Sequence, residues 1–407
     1  MKSSAHSLLG VVVAASSLAC SELPPPRRDG GPAADAGPLP VCGSDGAPEC
    51  ARAVRGAAGG TFSCAVFDDD TTRCWGANDQ GQLGRRDLPR TPNEPPVVSD
   101  LPRFDAMALG WSHGCGLREG RVLCWGDHRL GQLGSEAASG GPEPIDVGLT
   151  DVQKLVAHEA ANCALHGTPT QVSCWGFALD GQPYENVTSG RAQPVPFPVP
   201  GLAVGDLTDL AMGRSHACAT NGSGVWCWGN GDEGQIGDDA DRRRSSATPA
   251  DLRYVDLPVH ELSAGGDHTC MRAGPDAHAY CWGYLDRWFY RSTPGHLYWW
   301  RGGGAAEVAM GDRLLCVRYA SGWVACSGDN RYGQLPALGP DDERLSSLAV
   351  VDGLHDVVEL AGGVFHLCAR HETGAVSCWG RNREGQLGHG HTSWSEPPMP
   401  LGATTNE

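Results

Sequence analysis

The tripeptide Cys-Trp-Gly returns six times at nearly constant spacing, and this regularity restricts the fold more than any other feature of the chain. Its cysteines are Cys74, Cys124, Cys174, Cys227, Cys281 and Cys378, and Cys326 takes the same place before Ser327-Gly328. Successive anchors lie 50, 50, 53, 54, 45 and 52 residues apart. A period near fifty marks one supersecondary unit used repeatedly, which buries its apolar face only by stacking on copies of itself. Each copy opens with Gly-x-x-His-x-Cys, runs through a short apolar strand, a turn and a second strand ending in Cys-Trp-Gly, and then reaches Gly-Gln-Leu-Gly. The last motif stands at 81–84, 131–134 and 385–388, as Gly-Gln-Ile-Gly at 234–237, and altered at 181–184 and 333–336. The fifth copy lacks it. A proline-containing extended stretch, such as Glu94-Pro95-Pro96-Val97-Val98, then leads into the next copy. With 57 glycines and 29 prolines the chain cannot be mainly helical, while 40% hydrophobic residues supply a core.

These motifs resemble the regulator-of-chromosome-condensation repeat family over roughly residues 51–401. The resemblance implies an all-β fold, a seven-bladed β-propeller. It implies little about function, because propellers carry many unrelated roles. The family's eukaryotic founder is an exchange factor for a GTPase, an activity not expected of an exported chain; a nearer analogue, an exported bacterial propeller, binds a target enzyme through one face. The stretch Glu396-Pro397-Pro398-Met399-Pro400-Leu401 has the composition of the strand after each Gly-Gln-Leu-Gly, and no such strand precedes the first copy. The C-terminal strand is therefore expected to complete the first blade and join both chain ends in one sheet.

Fourteen of the 17 cysteines fall into pairs: Cys64–Cys74, Cys115–Cys124, Cys163–Cys174, Cys218–Cys227, Cys270–Cys281, Cys316–Cys326 and Cys368–Cys378. A separation of 9 fits two-residue turns, Glu119-Gly120 and Gly222-Ser223. Ten fits three-residue turns such as Ala320-Ser321-Gly322 and Glu372-Thr373-Gly374. Eleven fits four-residue turns, Gly167-Thr168-Pro169-Thr170 and Gly274-Pro275-Asp276-Ala277. Every pair then sits three steps beyond its turn, a non-hydrogen-bonded position where Cβ atoms approach to disulfide distance. Buried free thiols are the alternative. Two thiolates per blade cannot make a tetrahedral zinc site, so no metal is expected. With Cys20 set aside, Cys42–Cys50 is the remaining bridge.

Residues 1–19 read as an export signal: Lys2, an apolar run from Leu8 to Ala15, then small residues. Ser17-Leu18-Ala19-Cys20 resembles a bacterial lipoprotein box, with Ser17 where Leu is usual. The resemblance implies cleavage before Cys20 and its acylation, hence an envelope protein held at the outer membrane only by lipid; plain secretion is the alternative. Residues 20–41 form a Pro/Ala/Gly-rich, disordered tether, 42–50 a short Cys-bounded loop, and 402–407 a tail. A net charge of −17 with only Lys2 and Lys154 as lysines excludes a nucleic-acid groove or a polybasic membrane patch.

Several motifs imitate catalytic signatures. Gly110-Trp111-Ser112-His113-Gly114 has the letters of a hydrolase nucleophile elbow, yet it stands in frame with Gly213-Arg214-Ser215-His216-Ala217, so the repeat explains it. Gly229-Asn230-Gly231-Asp232-Glu233-Gly234 matches a dinucleotide fingerprint without the βαβ unit that fingerprint needs. His113, His216, His268 and His366 occupy one repeat position and are expected to be structural. Asp68-Asp69-Asp70 lacks the spacing of a calcium loop. No set of unlike residues from different blades emerges as a catalytic centre, and no cofactor is implied.

Where the fifth copy should read Gly-Gln-Leu-Gly it carries Trp288, Phe289 and Tyr290, followed by Tyr298, Trp299 and Trp300. That composition suits a protein-interface hot spot; filling the gap left by the missing turn is the alternative. The resulting expectation is a monomeric, non-enzymatic, protein-binding propeller displayed on the cell envelope, with an unidentified protein partner. A glycan-active enzyme with a site at the channel mouth and a structural envelope component are the rival readings.

Overall fold

The computed structural model describes residues 51–401 except 55–58, 86, 88–96, 137–138, 178–191, 203, 241, 254, 287–288, 297–303 and 336–343. The expectations for the export signal, Cys20, the tether, Cys42–Cys50 and the tail lie outside the described residues. Among the described residues there are 28 strands, β1 to β28, in seven four-stranded antiparallel sheets, each made of four consecutive strands. Together they form an all-β propeller. Among the described residues no helix is long and apolar enough to cross a membrane.

The first strands of six sheets line a central channel: β5 (Ala106–Leu109), β9 (Val152–His158), β13 (Asp209–Met212), β17 (Val259–Gly265), β21 (Ala305–Met310) and β25 (Val357–Gly362). The second strands are mostly buried, and β2 (Phe62–Phe67) and β14 (His216–Thr220) are so along their whole length. They read as continuous apolar runs because each sheet is covered on both faces by its neighbours. Fourth strands lie at the rim and carry the prolines: β8 (Gly141–Asp146), β12 (Ala192–Pro198) and β28 (Ser393–Pro400). An edge strand tolerates a residue without N–H, since only one side is paired.

The ring closes without exchanging a strand. β28 pairs with β27 (Val376–Asn382), within its own sheet, and β1 (Ala51–Val54) supplies the first strand of the first sheet. The expected shared sheet is thus corrected. Closure is instead side by side: Ala65, Phe67 and Trp75 of the first sheet share a core with Ala361, Cys368 and Leu387 of the last.

The seven hairpin disulfides form as the turn lengths require. Each cysteine pair is directly opposed in the strand register. In each the Cα atoms are 4.1 Å apart, the close approach of a non-hydrogen-bonded pair.

Because strands alternate in direction, turns between first and second strands emerge on the same face as the Gly-Gln-Leu-Gly loops between third and fourth. We call this the upper face. The cysteine hairpin turns emerge on the opposite one.

Candidate protein-binding face

The repeat motifs build a latch between neighbouring sheets that fixes the upper face. The indole N–H of Trp75, Trp125, Trp175, Trp282 and Trp379 donates to the backbone oxygen of Gln386, Gln82, Gln132, Gln235 and Gln334, at 2.7–3.1 Å. Each glutamine belongs to the Gly-Gln-x-x turn of the preceding sheet, so the tryptophan of one sheet clamps the loop of the last. The closing glycine leaves room for the indole: at Gly237 (φ +78°) a Cβ would lie 2.7 Å from the Trp282 ring nitrogen.

The histidines complete this latch. Nε2 of His113 meets Asn162 Oδ1 at 2.9 Å, His216 meets Thr269 Oγ1 at 2.7 Å, and His366 meets Ser63 Oγ at 2.7 Å. The Asn162 amide, Thr269 hydroxyl and Ser63 hydroxyl in turn donate to the oxygens of Gln132, Gln235 and Gln386. Since those hydroxyls donate onward, the imidazoles carry the proton on Nε2. Burial lowers their pKa, to about 4 for His113 and about 3 for His216 and His366. They are neutral structural groups, as their shared repeat position suggests.

Unlike residues do converge at the upper mouth of the channel, a feature the sequence reading missed. Glu159, Arg214 and Asp312 occupy equivalent positions in the first turns of the third, fourth and sixth sheets, and Asp267 the next position in the fifth. The Arg214 guanidinium pairs closely with Asp267 and lies 3.6 Å from Asp312. Burial raises the Glu159 carboxyl to about 7, with Arg214 pulling it down and Asp312 and Asp267 pushing it up. Burial likewise raises Asp267, against the pull of Arg214. His158, 6% exposed, lies beside this group; burial lowers it to about 4. The turns are knit by backbone bonds, Trp111 N–H to Glu159 O at 2.7 Å and Arg214 N–H to Gly266 O at 3.0 Å. Below the mouth the channel holds a cavity of about 210 Å³ lined by Met107, Val156, Met212, Leu262, Val308 and Met310. Deeper still, Glu261–Arg272, Glu307–Arg318 and Glu359–Arg370 repeat one ion pair in three successive sheets.

Beside the mouth runs a line of rings, exposed at its two ends and half-buried between them. Trp111 meets Phe365 edge-on with centroids 6.5 Å apart, Phe365 meets Tyr332 at 4.9 Å, and Tyr332 meets Trp394 at 5.6 Å. Arg381 lies over both Phe365 (5.4 Å) and Tyr332 (5.7 Å), and Arg383 over Trp394 at 3.7 Å. Trp394 is 54% exposed and Trp111 39%. Trp111 spans the first sheet because that sheet's turn is bare: a Cβ on Gly60 would lie 2.8 Å from the indole.

Two of the sequence-predicted aromatics fall elsewhere. Phe289 and Tyr290 begin β20 (Phe289–His296), the fourth strand of the fifth sheet, opposite Asp286 and Tyr284. Their segment is therefore part of a sheet and not a connection outside the blades. Trp288, Tyr298, Trp299 and Trp300 lie outside the described residues.

Comparison with known proteins follows the repeat. The regulator of chromosome condensation (RCC1) repeat matches residues 207–235 and 357–386, and a second form of it residues 223–271. The probable E3 ubiquitin-protein ligase HERC6 of Homo sapiens is 28% identical over 82% of this chain, which spans 32% of that protein's length. The ultraviolet-B receptor UVR8 of Arabidopsis thaliana is 27% identical over 70% of this chain and 67% of its own. Among solved structures, Prp20p from Saccharomyces cerevisiae superposes with a TM-score of 0.69 at 18% identity, covering 87% of both chains. Human WBSCR16 gives 0.65 at 21% identity, covering 80% of this chain and 93% of its own. Residues 207–271 and 357–386 thus match the RCC1 repeat, and the fold is that of these two solved structures.

Proposed function

We propose that this chain is a non-enzymatic, protein-binding scaffold that engages its partner through the upper face. The carrying observation is the run Trp111–Phe365–Tyr332–Trp394, exposed at its two tryptophans and half-buried between them, with Arg381 and Arg383 stacked on it. Aromatic and arginine side chains dominate interface hot spots, and a prearranged surface loses little entropy on binding. Seven sheet-internal disulfides and the tryptophan latch supply that rigidity. Prp20p binds Gsp1p and histones, which supports binding as a use of this fold; its partners are not carried over.

The export signal, the lipoprotein-like residues Ser17 to Cys20 and the disulfides support a place on the cell envelope, where thiols oxidise. Cross-linking on intact cells, followed by mass spectrometry, identifies the partner. Trp394→Ala and Arg383→Ala should then each weaken capture by about thirtyfold, the loss of ~2 kcal/mol typical of a hot spot. Undiminished capture by both, with contacts mapped to the hairpin-turn face, would assign binding to the opposite side.

A further inference from the structure

The acidic mouth of the channel sits at the centre of the proposed binding face with unmet hydrogen-bonding capacity. Three carboxylates from three sheets face one guanidinium. Asp267 holds Arg214 closely, while Asp312 stands 3.6 Å from it. Among the described residues the Glu159 carboxyl has no hydrogen-bond partner. Glu159 sits at φ +43°, a left-handed conformation that Gly60 and Gly266 at the same place in the first and fifth sheets do not adopt, so this turn alone holds a carboxylate against backbone preference. His158 supplies an independent sign: it is 6% exposed, lines the cavity, and its Nδ1 has no partner. A buried unpaired ring nitrogen costs free energy unless something fills the place.

We infer that this mouth is a binding site for an organic cation, an ammonium or guanidinium group, received by Glu159 and Asp312 with His158 beneath them. An anion is disfavoured because Arg214 is already engaged by carboxylates. Among the described residues no three His, Cys, Asp or Glu side chains are grouped to hold a metal ion, so the acceptors suit a spread, multi-donor cation. The inference deepens the binding-face reading: the source it favours is a lysine or arginine side chain of the partner, placed in the mouth while apolar groups meet the aromatic run.

Binding should be linked to protons. The charged and titratable groups facing Glu159 are Arg214 from the fourth sheet, Asp267 from the fifth, Asp312 from the sixth and His158 from its own hairpin. The neighbouring Trp111 contributes only its backbone N–H. With Glu159 at about 7, an arriving cation favours the carboxylate and expels its proton.

The test is calorimetric titration of the whole oxidised protein with three probes: acetyl-Gly-Lys-Gly-amide, its norleucine counterpart, and n-butylammonium. We expect the lysine peptide to bind at pH 8, to weaken up to about tenfold per pH unit below 7, and to release protons near pH 7 in buffers of different ionisation enthalpy. The norleucine peptide should not bind. Glu159→Gln should weaken the lysine peptide at least about tenfold and abolish the pH dependence, and Asp312→Asn should weaken it without abolishing that dependence. Binding of n-butylammonium without the lysine peptide upholds the cation site but assigns it to a free amine. No binding by any cation, or equal binding by Glu159→Gln and wild type, overturns the inference. The two readings fail separately, since partner capture is read on Trp394 and Arg383 and cation binding on Glu159 and Asp312.

Discussion

His268 is the imidazole of the series whose neighbour cannot answer it. The next sheet offers Asn162 to His113, Thr269 to His216 and Ser63 to His366, but Leu315 to His268. Both ring nitrogens of His268 are buried without a hydrogen bond; the Leu314 backbone lies near enough to favour its proton but not in bonding geometry. Replacing the two kinds of histidine should therefore give different results. His216→Leu breaks a buried bond and leaves the Thr269 hydroxyl with a lone pair unmet, costing about 1–3 kcal/mol. His268→Leu removes two unpaired nitrogens and copies Leu314, the residue at this place in the sixth sheet, so its effect should be neutral or stabilising. Urea midpoints of the two variants under non-reducing conditions check this, and equal losses would show that the hydrogen bond contributes nothing. The sequence showed the histidines as a repeated position, yet their partners are 49 to 303 residues distant, so pairing became visible only in the ring.

At the scale of elements, two irregularities of the repeat prove to be one. The fifth copy lacks Gly-Gln-Leu-Gly, and the sixth has Ser327 where the others have tryptophan. Since five of the tryptophans donate to the glutamine carbonyl of the preceding sheet, the fifth copy has no such glutamine to offer and the sixth no tryptophan to place. Trp282→Phe should accordingly lose about 0.5–1.5 kcal/mol, the worth of one bond to Gln235 O, plus any penalty for the carbonyl left short of a donor. Ser327→Trp should bring no gain, because the fifth copy has no Gly-Gln turn to receive it; a rise in melting temperature would show that packing alone makes the latch. The disulfides were legible because turn length and register are local properties. The first strands were not: Ala106–Leu109 is four residues without a motif, and counting each copy from Gly-x-x-His left it out of view. That omission moved the frame by one strand and produced the mistaken closure of the ring by the C-terminal stretch. The mouth of the channel was missed for a related reason. Glu159, Arg214 and Asp312 were read within their own copies, where each is an ordinary turn residue; compared across copies they occupy one circle.

For the whole molecule, the latch makes the ring sensitive to acid. Burial holds His113 and His158 at about 4 and His216, His268 and His366 at about 3, against an ordinary value of 6.5. A histidine with a depressed folded-state pKa binds fewer protons folded than unfolded. Its contribution is present above pH 6.5 and is lost as pH falls towards the folded value. Each such imidazole removes up to about 1.4 kcal/mol per pH unit within that window. Buried carboxylates act in the opposite sense, because Glu159, Glu261, Glu307 and Asp267 are raised and gain protons on folding. Of these Glu159 reaches about 7 but is partly exposed, so water screens its share. Five deeply buried imidazoles outweigh it, and they are spread over the second, third, fourth, fifth and seventh sheets. The urea midpoint should therefore fall continuously from pH 7 to pH 4.5 with all disulfides intact. His268→Leu should flatten that slope by up to about one proton's worth while leaving the midpoint at pH 7.5 equal to or above wild type. A flat profile in the wild type would mean that these rings keep their protons when buried, and the neutral Nε2–H latch would then be wrong.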